Sequence, residues 1–204
     1  MKRRTIFIGT MEHMVTRWLL KEMSYSLFDN LEETFDLMID GLRKLGDDPW
    51  QAVILGTGDP KLEESARKLA KDFPERVRIV TKYDAKLARM IYAGSDIFLM
   101  PSRYEPCGLS QMIAMRYGCV PVVRAVGGLH DTVTDGENGV VFIKPTVKDF
   151  VAAAKRALEL YKDNDTWQTL QKNGMSQDFS WTKSALKYFE LYRRLITARV
   201  ATRA

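Results

Sequence analysis

Hydrophobic residues occur along the chain in short runs, which alternate with longer stretches whose apolar positions repeat at helical spacing. The short runs lack the polar alternation of half-exposed strands, as expected for strands that are covered on both faces. This pattern is typical of β-α-β units and predicts a parallel sheet of about six strands. The predicted strands span residues 5–8, 52–55, 77–80, 97–100, 120–123 and 140–143.

Helical periodicity fills four of the five intervals between the predicted strands and dominates the sequence after the last one. No internal repeat, low-complexity segment or linker rich in Pro, Gly and Ser divides the chain. We therefore predict an α/β fold in which residues 1–204 form a single doubly wound, Rossmann-like domain, with extra C-terminal helices and a flexible tail at residues 197–204. The predicted helices span residues 31–45, 61–72, 85–92, 109–117, 147–162, 166–173 and 181–196.

Composition and charge narrow the class of protein. Of the 204 residues, 46% are hydrophobic and 28% charged, as in an ordinary globular domain, and no apolar run is long enough for a membrane-spanning helix. Six of the 31 basic side chains but only one of the 26 acidic ones lie in residues 182–204, so the net charge of +5 comes from a C-terminal helix. This distribution favours a solvated helix over a nucleic-acid interface. We expect neither nucleic acid nor membrane as a partner.

The two cysteines and the histidines offer little chemistry of their own. Cys107 and Cys119 form neither a disulfide framework nor a metal-binding spacing, so we expect a cytoplasmic protein without a metal site. His130 has no second His, Cys or Ser nearby for a triad or a metal, which favours a surface histidine. A packing or backbone role for Cys107 is favoured over a reactive thiolate, because no base is in sight.

Ligands of doubly wound sheets bind beyond the carboxyl ends of the strands, so the residues directly after each strand are candidates. Gly56 and Gly58 follow the second predicted strand and allow a sharp turn near a ligand, although a purely structural turn is the commoner explanation. The next residues, Asp59 and Pro60, suit the start of the following helix. Tyr83 follows the third strand, where it either stacks on a base or covers a helix start.

The most informative segment, residues 101–111, follows the fourth predicted strand. The next helix is predicted to begin near Gly108, which leaves the amides up to Ser110 unpaired and facing the crevice. A helix start approached through a glycine suits a diphosphate. Glu105 is predicted to hydrogen-bond the hydroxyls of a sugar; the alternative is that it pairs with Arg103 or caps the helix. After the fifth strand, a Gly-Gly pair, Gly127 and Gly128, permits close backbone approach to a ligand.

Residues 56–60, 101–111 and 126–133 together resemble the C-terminal domain of bacterial glycogen and starch synthases, which are retaining glycosyltransferases of the two-domain GT-B fold. The likeness extends from about Ala52 to Ile196. The run Arg-Tyr-Glu-Pro-Cys-Gly-Leu at residues 103–109 is specific, whereas the Gly-x-Gly run alone is not. The resemblance implies that the predicted domain is the C-terminal half of a GT-B fold.

The resemblance also implies roles for the candidate residues. Glu105 corresponds to the family glutamate that contacts the transferred glucose and supports the transition state, and Tyr83 to the tyrosine near the adenine of ADP-glucose. Ile113 stands where many related retaining glycosyltransferases carry a second glutamate, which fits the synthase branch. The other implied contacts are those of the donor sugar and phosphates with Cys107, Gly108, Leu109, Ser110, Gly127 and Gly128, and those of the nucleotide with Gly56 and Gly58.

The first 50 residues depart from the family. The family places an Arg directly after the first strand and a Lys five residues later, and both neutralise the diphosphate; residues 10–14 here read Thr-Met-Glu-His-Met. Arg17 and Lys21 lie nearby on one predicted helical face, and their replacing the pair is the less favoured hypothesis. The family's N-terminal domain, which carries the acceptor site, has no counterpart in this sequence.

The resemblance therefore implies the donor domain of a glucosyltransferase that moves glucose from ADP-glucose or UDP-glucose to an α-1,4-glucan with retained configuration. It implies no cofactor besides the nucleotide sugar, and an α-glucan acceptor bound through the N-terminal domain. The alternatives are an inactive or truncated nucleotide-sugar-binding module and one half of a split enzyme. For a split enzyme, Tyr188, Tyr192 and Leu195 of the last helix are candidate contacts with another protein, although core packing is the favoured explanation.

Overall fold

A computed structural model of the chain describes the backbone of residues 4–8 and 27–201 and the side chains of residues 32–197. Its six described strands are all parallel and form one sheet in the order β3-β2-β1-β4-β5-β6. This order is that of the Rossmann fold, so the predicted doubly wound sheet of about six strands is confirmed. The strands are β1 (Arg4–Ile8), β2 (Trp50–Leu55), β3 (Val77–Val80), β4 (Ile97–Met100), β5 (Val120–Arg124) and β6 (Val140–Phe142).

Helices connect these strands and extend the fold beyond the last one. All the predicted helices are present with shifts of a few residues at their ends, and one further helix, α5, was not predicted. The described helices are α1 (Leu27–Lys44), α2 (Pro60–Asp72), α3 (Ala85–Gly94), α4 (Ser110–Arg116), α5 (Gly127–Thr132), α6 (Val147–Leu160), α7 (Asn164–Met175) and α8 (Trp181–Ala201).

The sheet is buried on both faces, as the continuous apolar strands predicted. In β4, Ile97 and Leu99 pack into the larger hydrophobic cluster, while Phe98 packs into a second cluster with Tyr92. Side chains alternate between the two faces of a strand, so these neighbours must lie on opposite sides of the sheet. On the face of the larger cluster α1 packs so closely on α6 that a β-carbon built on Gly41 would overlap the ring of Phe150.

The last helix, α8, is exposed along its described length. Tyr188, Tyr192 and Leu195 are each more than half exposed, so core packing, the favoured explanation for these three residues, is wrong for the described part of the chain. The helix continues to Ala201 and so includes part of the segment that was predicted as a tail. Within the described residues, every helix is too short or too polar to cross a membrane.

The strand order reverses between β1 and β4, and this switch point is where a sheet of this type opens a crevice for ligands. Residues 101–109, here called the β4–α4 loop, follow β4 at this position. The segment that follows β1 lies outside the described residues, and with it the departure at residues 10–14 and the candidates Arg17 and Lys21.

Candidate functional site

Glu105 lies in the β4–α4 loop and its side chain is only 5% exposed. Hydrogen bonds from a neighbouring side chain to backbone carbonyl oxygens hold the loop in place. The guanidinium of Arg124, at the end of β5, donates from Nε to the carbonyl oxygen of Ser102 at 2.8 Å and from Nη2 to that of Arg103. The side chain of Arg103 pairs at 2.9 Å with Glu33 of α1. Burial, and then the charge of Arg103, lower the pKa of Arg124.

Helix α5 packs its first residues directly against this loop. The amide of Gly128 donates to the carbonyl oxygen of Glu105 at 3.0 Å. A β-carbon on Gly127 would overlap that same oxygen, and one on Gly128 would overlap the carbonyl oxygen of Cys107. The immediate neighbour of both glycines is therefore protein backbone, and their predicted close approach to a ligand stays a prediction.

Helix α4 begins at Ser110, with Leu109 as its N-cap and no side-chain cap. Gly108 precedes it at φ +67°, a conformation that glycine adopts without strain. None of the hydrogen bonds found within the described residues uses the amide of Gly108 or of Leu109 as a donor. The predicted unpaired amides are therefore present at the start of α4, and Cys107 beside them is exposed.

The hydroxyl of Ser110 is turned away from this surface. Ser110 is buried and hydrogen-bonds the hydroxyl of Tyr92 on α3. Burial raises the pKa of Tyr92 to about 12, and the hydrogen bond with Ser110 opposes that rise. A contact between Ser110 and a ligand would therefore be made by its backbone amide.

The nucleotide candidates lie at the same edge of the sheet, on the other side of β1. The amide of Gly56 donates to Val80 of β3 at 3.1 Å, and that of Gly58 to the side chain of Glu63 at 3.2 Å. Asp59 caps α2 by accepting from the amide of Lys61 at 2.7 Å, as predicted. β2 and β4 both neighbour β1, so their ends are separated by roughly 10 Å, twice the spacing of adjacent strands.

Tyr83 is 67% exposed, between β3 and α3. The next residue, Asp84, caps α3 by accepting from the amide of Leu87 at 2.8 Å, and it pairs with Lys82 at 2.7 Å. The hydrogen bond from Lys82, and then that from the Leu87 amide, lower the pKa of Asp84. Asp84, not Tyr83, therefore secures the helix start, and the tyrosine ring keeps a free face.

His130 is a surface residue, as predicted, with its Nδ1 3.8 Å from Asp131. Cys119 is buried, and this burial raises the pKa of its thiol. Among the described residues, no group of three His, Cys, Asp or Glu side chains could hold a metal ion.

Three residues that shape the site were missed by sequence reasoning: Arg124, Gln111 and Thr132. Gln111 is fully buried, and its side chain donates to the carbonyl oxygens of Cys107 and Gly108 and to Thr132. One signal could have revealed it. Gln111 is a polar residue at helical spacing from the buried Ala114 and Met115, on the face where only apolar side chains are expected.

Comparison with known proteins places the chain among enzymes that transfer sugars. The model of the family described as "Glycosyl transferases group 1" matches residues 30–174. Glycogen synthase of Koribacter versatilis is 43% identical over 80% of the chain, and that of Desulfitobacterium hafniense is 47% identical over 70%. The chain covers 35% and 32% of these two relatives, about a third of their length.

Solved structures agree. The catalytic domain of starch synthase IV from Arabidopsis thaliana, bound to ADP and acarbose, matches 96% of the chain at a TM-score of 0.76 and 32% identity, with 39% of that domain covered. The C-terminal domain of a glycosyl transferase group 1 family protein from Francisella tularensis matches 85% of the chain and 83% of its own length at a TM-score of 0.57, but at 18% identity it supports the fold alone. The resemblance to the C-terminal domain of glycogen and starch synthases is confirmed.

Proposed function

Because the chain belongs to the glycosyl transferases group 1 family, we propose that it is the donor-nucleotide domain of a glucosyltransferase of the glycogen or starch synthase type. In the intact enzyme, glucose would pass from ADP-glucose or UDP-glucose to the end of an α-1,4-glucan with retained configuration. The observation that carries the proposal is the position of the β4–α4 loop, which holds Glu105 and the unpaired amides of Gly108 and Leu109 at the switch point of the sheet.

The names of the relatives support this choice of substrate. Curated relatives that match at 41–47% identity are glycogen synthases, and the starch synthase structure is bound to ADP and acarbose. The same match supports ADP-glucose as the first donor to test. UDP-glucose is the second donor to test.

In the proposed reaction the loop supplies position and electrostatics. Glu105 would contact the transferred glucose, and the backbone at Cys107 and Gly108 would hold its hydroxyls. The amides of Leu109 and Ser110 would bind the distal phosphate, where negative charge develops as the diphosphate departs. Positioning of donor and acceptor supplies the remaining acceleration, so the reaction needs no cofactor besides the nucleotide sugar.

The nucleotide would extend from this loop across the end of β1 towards Gly56, Gly58 and Tyr83. The free face of Tyr83 suits a stacked base, because offset stacking on an aromatic ring is favourable. The two glycines would then lie beside the ribose and its first phosphate.

Calorimetric titration of the chain with ADP, ADP-glucose and UDP-glucose tests the proposal. We expect binding in the high-micromolar range or tighter, weakened by Tyr83→Ala and retained by Tyr83→Phe, which keeps the ring. Absence of binding at millimolar nucleotide would contradict the proposal.

A nucleotide-sugar-binding module, or one half of a split enzyme, is the second candidate function. Transfer of labelled glucose from ADP-glucose to glycogen by this chain alone would exclude a module that only binds. Nucleotide binding without transfer is expected of both candidates, because the donor domain acts only within the intact enzyme.

A further inference from the structure

The carboxamide of Gln111 is enclosed between the β4–α4 loop and helix α5. Its Nε2 lies 3.3 Å from the carbonyl oxygen of Cys107, 2.8 Å from that of Gly108 and 3.0 Å from the hydroxyl of Thr132. All three partners are acceptors that share the two hydrogens of Nε2, which fixes the amino group of the carboxamide on this side. The side chain is fully buried, so water does not replace these partners.

Thr132 extends the connection to the first turn of α5. Its hydroxyl accepts from Gln111 and donates to the carbonyl oxygen of Gly128 at 2.6 Å. The amide of Gly128 in turn donates to the carbonyl oxygen of Glu105. These hydrogen bonds therefore connect Glu105 with the first turn of α5. Through Thr132 and Gln111 they connect α5 in turn with Cys107 and Gly108 of the same loop.

We propose that Gln111 and Thr132 are positioning residues that join the β4–α4 loop and α5 into one unit. By holding the carbonyl oxygens of Cys107 and Gly108 inward, Gln111 keeps the amide of Gly108 directed outward for the transferred sugar and that of Leu109 directed outward for the distal phosphate of the nucleotide. The identity of that ligand rests on the proposed function, whereas the coupling of the two segments does not.

The positioning role depends on the amino group of the Gln111 carboxamide, which donates the hydrogen bonds. Gln111 Oε1 is buried with no hydrogen-bond partner among the described residues, and a β-carbon on Gly108 would lie 2.5 Å from it. A buried group that only filled space would be served equally well by an apolar side chain of the same shape. Gln111→Met supplies such a side chain but removes the amino group, so the carbonyl oxygens of Cys107 and Gly108 lose their hydrogen bonds from it.

Hydrogen exchange of the ligand-free chain tests the coupling directly. Thr132→Val keeps the shape of the side chain and removes its hydroxyl. We expect the amide of Ile113, which is distant in sequence and donates to the carbonyl oxygen of Leu109 in the β4–α4 loop at 3.0 Å, to exchange at least about fivefold faster. Thr169→Val is the matched control, because Thr169 also donates to the carbonyl oxygen four residues earlier, Asp165, at 2.8 Å, but lies in α7. Faster exchange confined to residues 127–133 would overturn the coupling.

Nucleotide binding tests whether Gln111 orients the backbone amides for the distal phosphate. We expect Gln111→Met to raise the Kd of ADP about tenfold and to leave that of AMP, which lacks the distal phosphate, within about twofold. Equal weakening of both nucleotides, in step with a lower melting temperature, would overturn the positioning role. If the unmodified chain bound neither nucleotide, the proposed function would fail, and the exchange measurement would still decide the coupling. Thr132→Val serves for both tests should Gln111→Met not fold.

Discussion

The amide of Gly128 in helix α5 donates a hydrogen bond to the carbonyl oxygen of Glu105 in the β4–α4 loop at 3.0 Å, although α4 and β5 separate the two residues along the chain. This bond sets the backbone beneath the proposed catalytic carboxylate. It requires α5 to lie in van der Waals contact with the β4–α4 loop, and both glycines at the start of α5 are needed for that contact. The proposed donor site is therefore built by backbone-to-backbone packing, on which the side chains depend.

Gly128→Ala should destabilise the protein by about 3 kcal/mol. The new methyl group would overlap the carbonyl oxygen of Cys107 and force helix α5 away from the β4–α4 loop. We expect nucleotide binding to be lost with it. Urea denaturation measures the free energy of unfolding. Gly94→Ala is the control: nothing lies within 4 Å of the added atom, so its stability should stay within about 1 kcal/mol of the original.

Gly108→Ala should cost more stability than Gly136→Ala, although both glycines have a positive φ, +67° and +72°. Each variant bears the strain of a left-handed alanine, about 1–2 kcal/mol. Only at Gly108 does the methyl group also meet the carboxamide of Gln111, whereas nothing lies within 4 Å at Gly136. The difference between the two unfolding free energies reports that contact. Equal losses would show that Gln111 moves aside freely.

Arg124→Met should loosen the β4–α4 loop, because it removes both hydrogen bonds to the carbonyl oxygens of Ser102 and Arg103. We expect a loss of about 1–3 kcal/mol in the free energy of unfolding. Arg124→Lys should recover only part of it, since one ammonium does not reproduce the planar guanidinium fork. Glu33→Gln breaks only the more exposed pair with Arg103 and should cost less than about 1 kcal/mol. A larger effect at Glu33 than at Arg124 would contradict this ranking.

The lowered pKa of Asp84 predicts how the stability of the folded chain depends on pH. Its pKa is lowered in the folded chain, mainly by the hydrogen bond from Lys82, so the unfolded chain binds a proton more readily. The contribution of Asp84 is therefore present above its unfolded pKa and is lost as the pH falls through the lowered folded pKa. Asp84→Asn, which can still cap α3, should make the fall in melting temperature below the ordinary carboxyl pKa shallower. An unchanged acid slope would contradict the assignment.

The sequence predicted those features of the fold that depend on local patterns. β3 and β4 have the predicted bounds, and Asp59 caps α2 as expected. α5 was missed because two glycines, weak helix formers, open a helix of only six residues. Periodicity over so short a segment carries little signal.

The sequence supplied candidate residues for the site, whereas the residues that support them were not predicted. Glu105 and Gly108 follow a strand, where the chain order alone marks them as candidates. The contacts of Arg124 and Thr132 join residues that are 21 or more positions apart, and no local pattern encodes them. For the apolar side chains of α8, a local pattern was present but misleading. Their helical spacing favoured burial in the core, yet the helix is exposed. Periodicity marks an apolar face without showing which surface covers it.

The most direct test of the donor-site account is an amide NMR titration of the chain with ADP-glucose. We predict that the amides of Gly108 and Leu109 show the largest shifts, because the first would bind the transferred glucose and the second the distal phosphate, and that residues near Tyr83 shift with them. Saturable binding that leaves Gly108 and Leu109 unmoved, with shifts clustered elsewhere in the chain, would contradict the account.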